Sequence, residues 1–108
     1  MTTLSTHVLD TERGSPAAGV SVTLYCGDRS VAQGQTNNDG RIPSLSADPL
    51  EPGIYRLEFD VAGYYAADNR EAPFLQRVSV EFRVSAGDTH YHVPLLLSPY
   101  ACTTYRGS

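Results

Sequence analysis

The chain of 108 residues can bury roughly 60 to 70% of its unfolded surface, enough for one core and too little for two, so a single domain spanning residues 1–108 is expected. Its composition, 41% hydrophobic and 19% charged, suits a folded globular protein and excludes a disordered one. All eight basic residues are arginine, set against twelve acidic ones. The net charge of -4, free of long like-charge blocks, leaves no electrostatic footprint for nucleic acid.

The N-terminal "MTTLSTHVLDTERG" has neither a basic segment nor an apolar one of leader type, and no stretch approaches the roughly 18 apolar residues of a membrane span. A cytoplasmic protein with no membrane partner is the expectation. Turn signals then recur at short intervals: Arg13 to Gly19, Cys26 to Ser30, Thr36 to Arg41, Pro49 to Gly53 and Ser85 to Asp88. The runs between them have strand length, which is the spacing of a sandwich or small barrel.

"GVSVTLYC" alternates through Val20, Val22, Leu24 and Cys26 and reads as a half-buried antiparallel strand. "GIYRLEFD" is a further strand, with Ile54, Leu57 and Phe59 as its main apolar residues. "VAGYYAADNR" breaks the alternation, and its alanines allow one or two helical turns, weakened by Gly63, between two strands. "RVSVEFRV" is the clearest strand: Val78, Val80, Phe82 and Val84 face a core, and Arg77, Ser79, Glu81 and Arg83 face outward. "THYHVPLLLSPY" and "ACTTYRGS" complete the set as two strands parted near Ser98 and Pro99. Pro94 cannot donate to a ladder, so an edge or a bulge is expected near the middle of the first of these.

Alternation places His90, His92, Pro94 and Leu96 on one strand face and Tyr91, Val93, Leu95 and Leu97 on the other. Two histidines beside leucines are either surface residues or members of a polar site cut into an apolar wall. Arg41 follows the "NNDG" turn, where it is either solvated or aimed at a ligand. Cys26 and Cys102 lie far apart without metal-ligand spacing, and they read as small packing residues or free thiols. Three histidines without a carboxylate or thiol at ligand spacing make a weak case for zinc, so no metal and no cofactor are expected.

"STHVLDTERGSPAAGV", "TNNDGR" and "HYHVPLLLSPYACTTYRGS", in that order and spread over the whole chain, resemble the transthyretin-related family, specifically its 5-hydroxyisourate hydrolases. The terminal "YRGS" separates these enzymes from the transthyretins proper. The resemblance implies a mainly β fold, a sandwich of two four-stranded sheets with one short helix, assembled as a homotetramer. It also implies hydrolysis of 5-hydroxyisourate to 2-oxo-4-hydroxy-4-carboxy-5-ureidoimidazoline in urate breakdown. Family catalytic positions fall on His7, Arg41, His92 and Ser108. The chain departs from the family where "FFP" usually precedes the "VSVEF" strand, for it carries Phe74, Leu75 and Gln76 there.

Opening a cyclic acyl bond with water needs a base for the water, a positive donor for the oxyanion and groups that orient the ring. On the implied assignment His7 and His92 supply the base, since imidazole takes a proton near neutrality. Arg41 offers a planar fork for the substrate edge and the developing negative charge. Ser108 brings a hydroxyl and, as the last residue of the sequence, an α-carboxylate to orient His92 or pair with an arginine. Gly107 lets the tail bend in, Tyr105 walls the pocket, and Arg106 contacts substrate or anchors the tail. His90 shares the strand face without a family role and is read as a surface residue. A pocket beside a tail on a small sandwich is shallow, so sites at subunit interfaces are expected. The competing functions are a transthyretin-like carrier of an aromatic or hormone-type ligand, and a sandwich used only for protein contact.

Overall fold

The computed structural model describes residues 2–108. Nine strands and one helix follow in order: β1 (Thr3–Asp10), β2 (Ser15–Pro16), β3 (Ser21–Cys26), β4 (Arg29–Gln35), β5 (Arg41–Ile42), β6 (Gly53–Asp60), α1 (Val61–Ala67), β7 (Arg77–Val84), β8 (His90–Leu97) and β9 (Cys102–Thr104). They form two sheets. One has the order β2-β1-β8-β9, with β5 also paired to β1, and the other has the order β4-β3-β6-β7. The first sheet therefore carries five strands instead of the expected four, because the short β5 closes onto β1 beside β2.

The core lies between the sheets. Leu4, Val8, Val93, Leu95 and Leu97 face it from the first sheet, and Val22, Leu24, Leu57, Phe59 and Val84 from the second. Removing each such side chain from water stabilises the fold by roughly 1.5–3 kcal/mol. The alternation read in β3 and β7 holds in the structure, with both strands burying the predicted face. In β6 the partners differ: Tyr55 joins Leu57 and Phe59 inside, while Ile54 is 41% exposed. Strand geometry forces this, since residues 55, 57 and 59 share a face whatever the hydrophobicity of residue 54.

The helix forms where "VAGYYAA" was expected to, and Gly63 proves to assist it. The Asp60 side chain caps the helix by accepting from Gly63 N at 3.0 Å, and a Cβ on Gly63 would collide with that carboxylate. Tyr64, from this helix, and Arg70, just beyond it, then reach across to β1. Asp10, fully buried, accepts from Arg70 Nη2 at 2.7 Å, Tyr64 Oη at 2.8 Å and Arg13 N at 3.0 Å. Burial alone would raise the Asp10 pKa, but the bonds from Arg70, Tyr64 and Arg13 outweigh it and hold the carboxyl below its ordinary range. Cys26 is half-buried against the core and Cys102 exposed, both as free thiols. Among the described residues, no helix is long and apolar enough to cross a membrane.

Pro94 sits neither on an edge nor at a bulge. β8 pairs in parallel with β1 along its full length and antiparallel with β9 from Leu95 to Leu97. The β9 ladder stops opposite Pro94 and resumes at a His92–Gly107 bridge in the same register. The missing amide interrupts the ladder, and Thr104 Oγ1 donates to the Pro94 carbonyl at 2.9 Å beside the gap.

Candidate active site

The parallel pairing of β1 and β8 decides what can meet. Thr3 lies opposite His90, Ser5 opposite His92 and His7 opposite Pro94, all on the sheet face turned away from the core. β5 adds Arg41 opposite His7 on the other side of β1. Residues from both ends of the chain thus share one outer face.

Arg41 owes its place to the turn before it. Asn37 Oδ1 accepts from Asp39 N at 2.9 Å and Arg41 N at 3.0 Å, and Gly40, at φ 73°, donates from its amide to the Asn37 carbonyl. The Gly40 carbonyl accepts from Val8 N at 2.7 Å, which fastens the turn to β1. Any side chain at position 40 would meet the Val8 carbonyl, so both the left-handed backbone and the close approach require glycine there.

A pocket of about 280 Å³ opens on this face, lined by Ser5, Thr6, Arg41, Pro43, His90, His92 and Ser108. His7 stands beside it, and the charges of Arg41 and His7 both act on His92. Burial first, and then the Arg41 charge, holds His7 below its ordinary value of 6.5, although the backbone and charge of Asp39 act the other way. Burial likewise leads for His92, with Arg41, His7 and His90 adding to the depression. Both rings are therefore neutral near pH 7 and able to accept a proton. Ser5 Oγ lies 2.7 Å from His92 Nδ1, which leaves Nε2 as the ring nitrogen with no bond to the described residues.

The C-terminal tail reaches the pocket through Gly107, whose amide donates to the His92 carbonyl at 2.7 Å. It packs so closely that a Cβ at position 107 would stand 2.6 Å from His92 Cδ2, which is why glycine precedes Ser108. Arg41, His92 and Ser108 are brought to one pocket with His7 alongside. Arg106 and Tyr105 are not part of that lining. Alternation turns Arg106 to the opposite face of the sheet from Gly107, where its guanidinium lies 4.1 Å from the Tyr91 ring centroid, donates to the His90 carbonyl at 3.2 Å and approaches Asp88 at 3.8 Å. Tyr105 and Arg106 line a separate apolar cavity of about 200 Å³ with Val80, Phe82 and Tyr91. Ser5 was not singled out from the sequence; its signal is the two-residue spacing to His7 once β1 is known to be a strand. Among the described residues no group of three or more histidine, cysteine or carboxylate side chains is placed to hold a metal ion.

A model of the HIUase/Transthyretin family matches residues 4–107. A 5-hydroxyisourate hydrolase of Pseudomonas aeruginosa is 42% identical over 114 residues, an overlap of 97% of this chain and 90% of the relative. The solved structure of Klebsiella pneumoniae 5-hydroxyisourate hydrolase superposes with a TM-score of 0.91 at 42% identity, covering 100% of each chain. Transthyretin from Sparus aurata is also similar, with a TM-score of 0.85 at 31% identity over 96% of this chain and 95% of that one.

Proposed function

The chain belongs to the HIUase/transthyretin family, and from that premise we propose that it hydrolyses 5-hydroxyisourate, with His7, Arg41, His92 and Ser108 as the residues that carry the reaction. The observation that supports this most is convergence: strands β1, β5 and β8 and the C-terminal tail each bring one of the four to the same outer face of one sheet. A carrier has no need of two neutral histidines beside a guanidinium. A hydrolase does.

Water enters against the acyl carbon of the ring, and His92 takes its proton at Nε2, the nitrogen that Ser5 leaves unoccupied. His7, depressed by burial and then by the same arginine, is the second neutral imidazole and orients the water or the substrate edge. Arg41 is exposed at the pocket and stabilises the oxyanion as the carbonyl becomes tetrahedral. Ser108 offers a hydroxyl to the ring. The acyl C–N bond then breaks, the nitrogen is protonated and 2-oxo-4-hydroxy-4-carboxy-5-ureidoimidazoline leaves. Gly107 gives the tail its close approach, while Arg106 serves from behind by holding it. The pocket is shallow and open on the sheet's outer face, so the working unit is a homotetramer in which a second copy covers each site.

The test is the decay of absorbance of freshly generated 5-hydroxyisourate. Wild type accelerates it, and His92→Ala lowers kcat by at least about 10²-fold at unchanged assembly. Decay at the spontaneous rate with wild type, together with saturable binding of an aromatic ligand, would return the protein to the carriers.

A further inference from the structure

Behind His92 runs a line of hydrogen bonds that its role as base does not by itself require. His92 Nδ1 lies 2.7 Å from Ser5 Oγ, the same oxygen lies 2.9 Å from His90 Nε2, and His90 Nδ1 lies 2.6 Å from Thr3 Oγ1. Thr3 Oγ1 ends the line at the Thr89 carbonyl, 3.4 Å away. The parallel register of β1 and β8 builds it, since Thr3, Ser5, His90 and His92 alternate across the two strands on one face. Ser5 is buried, and His90 is open to solvent.

We propose that Thr3, His90 and Ser5 are positioning residues that present His92 to the pocket with its Nδ1 protonated and its Nε2 lone pair free, and that pass on the proton His92 acquires. The inference rests on His92 being the base of the proposed hydrolysis. A serine hydroxyl has one proton, so Ser5 can donate to only one of the two rings and must accept from the other. The line has therefore only two complete polarities. In one, His92 Nδ1–H donates to Ser5, Ser5 donates to His90 Nε2, His90 Nδ1–H donates to Thr3, and Thr3 donates to the Thr89 carbonyl. In the other, the three bonds among Thr3, His90, Ser5 and His92 are reversed, Thr3 gives its proton to His90 and not to the Thr89 carbonyl, and His92 carries its proton on Nε2.

Two features select the first polarity. It ends on a carbonyl that can only accept. It also leaves Nε2, the ring nitrogen with no bond to the described residues, carrying the lone pair that a base requires. When Nε2 takes a proton from water, the Nδ1 proton moves to Ser5 as the Ser5 proton moves to His90 Nε2. One proton enters the line and none leaves it, so the positive charge passes from His92, which faces Arg41 and His7, to His90, which faces Thr3, Ser5 and solvent. The return of that proton for the leaving nitrogen follows the same bonds in reverse.

Two measurements decide the matter. The first is ¹⁵N-resolved NMR of the histidine rings in the wild-type protein at neutral pH, without substrate. The expected state is His92 protonated at Nδ1; protonation at Nε2 overturns the proposal whatever the activity. The second compares variants by the 5-hydroxyisourate decay assay. Ser5→Ala should lower kcat by about 10- to 10²-fold with KM changed less than about threefold, and move the acid limb of the pH profile, whereas Ser5→Thr, which keeps the hydroxyl, should restore most of the rate. His90→Phe should lose a similar factor, and Ser5→Ala combined with His90→Phe should lose little more than either alone, because the groups act as one line. Losses that multiply, or an unchanged pH profile in Ser5→Ala, would leave these residues as packing. An inactive wild type, by contrast, would count against the hydrolase reading, and the NMR result would still stand on its own.

Discussion

Gly107→Ala tests how tightly the tail and the base are fitted together. The added Cβ would stand 2.6 Å from His92 Cδ2 and 3.4 Å from both His92 Cγ and the His92 carbonyl oxygen. Carbon atoms in contact sit about 3.5–4.0 Å apart, so either the imidazole or the tail must yield by about 1 Å. The ring is tied to Ser5 at 2.7 Å, and the tail is tied to His92 by its own amide at 2.7 Å, so neither moves without breaking a bond of the site. Displacements of this size cost about 10²-fold in rate for groups that position reactants. The expected kcat/KM of Gly107→Ala is therefore lower by about 10- to 10²-fold. The thermal midpoint should change little, because residue 107 lies beyond the last strand and the bonds at stake are confined to the tail. The assay is 5-hydroxyisourate decay, with a thermal melt and a sizing run alongside. A rate within about threefold of wild type, in a protein of unchanged midpoint and assembly, would refute the claim that the tail and His92 are mutually fixed.

Arg41→Lys keeps the charge and loses the fork, so the hydrolytic rate should fall by roughly 10- to 10³-fold; near-normal kinetics would reduce Arg41 to a diffuse field. The depressed pKa values of His7 and His92 predict that the acid limb of kcat/KM lies below 6.5, and in Arg41→Gln it should move up toward, but not reach, that value because burial is the larger cause. The same shifts affect stability: below about pH 6.5 the unfolded chain binds protons that the folded sites refuse, so the thermal midpoint should drop as pH falls through that range, and drop less in the double variant His7→Gln, His92→Gln. Asp10→Asn leaves Arg70 facing a neutral partner at a fully buried position, and chemical denaturation should show a loss of about 2–4 kcal/mol, less than for a fully isolated pair because Glu12 and Asp68 also hold Arg70; activity per folded molecule should persist.

β3 and β7 were legible in the sequence because each puts one uniformly apolar face on the core and a polar one outside. β1 was not, since its inward face includes Thr6 and Asp10. Those two are buried only because Thr6 donates to the Val93 carbonyl at 2.6 Å and Asp10 collects Arg70 and Tyr64, partners that no local pattern announces. β4 escaped for the opposite reason: it is a mostly exposed edge strand with no apolar stripe to read. Of the site, the family motifs pointed to His7, Arg41, His92 and Ser108, whereas Ser5 was invisible until the register of two strands more than eighty residues apart was known. The same gap explains Arg106. Proximity in sequence to Gly107 suggested the pocket, but strand alternation sends Arg106 through to the other face.

That division of faces accounts for how the site stays in place. The inner face of β1 and β8 is locked by Leu4, Val8, Val93 and Leu95, all at most 4% exposed, so the outer face inherits the rigidity of a core it does not touch. Histidines and a serine on that face need no loops to hold them, and their spacing is set by the parallel ladder itself. Arg41 and the tail lack this support and carry their own fastenings: the Asn37 turn for one, and for the other a clamp that works from behind. Arg106 grips Tyr91, whose hydroxyl in turn donates to Asp88 at 2.5 Å and accepts from Ser85 N at 2.8 Å, so the tail is fixed to the β7–β8 connection on the far side of the sheet. The ladder gap at Pro94 lies opposite Tyr105, between the last residues of β9 and the bridge at Gly107. The register is kept across the gap, so Gly107 gives its amide to His92 as a continued strand would, and with Arg106 as the anchor beside it this brings Ser108 to the pocket.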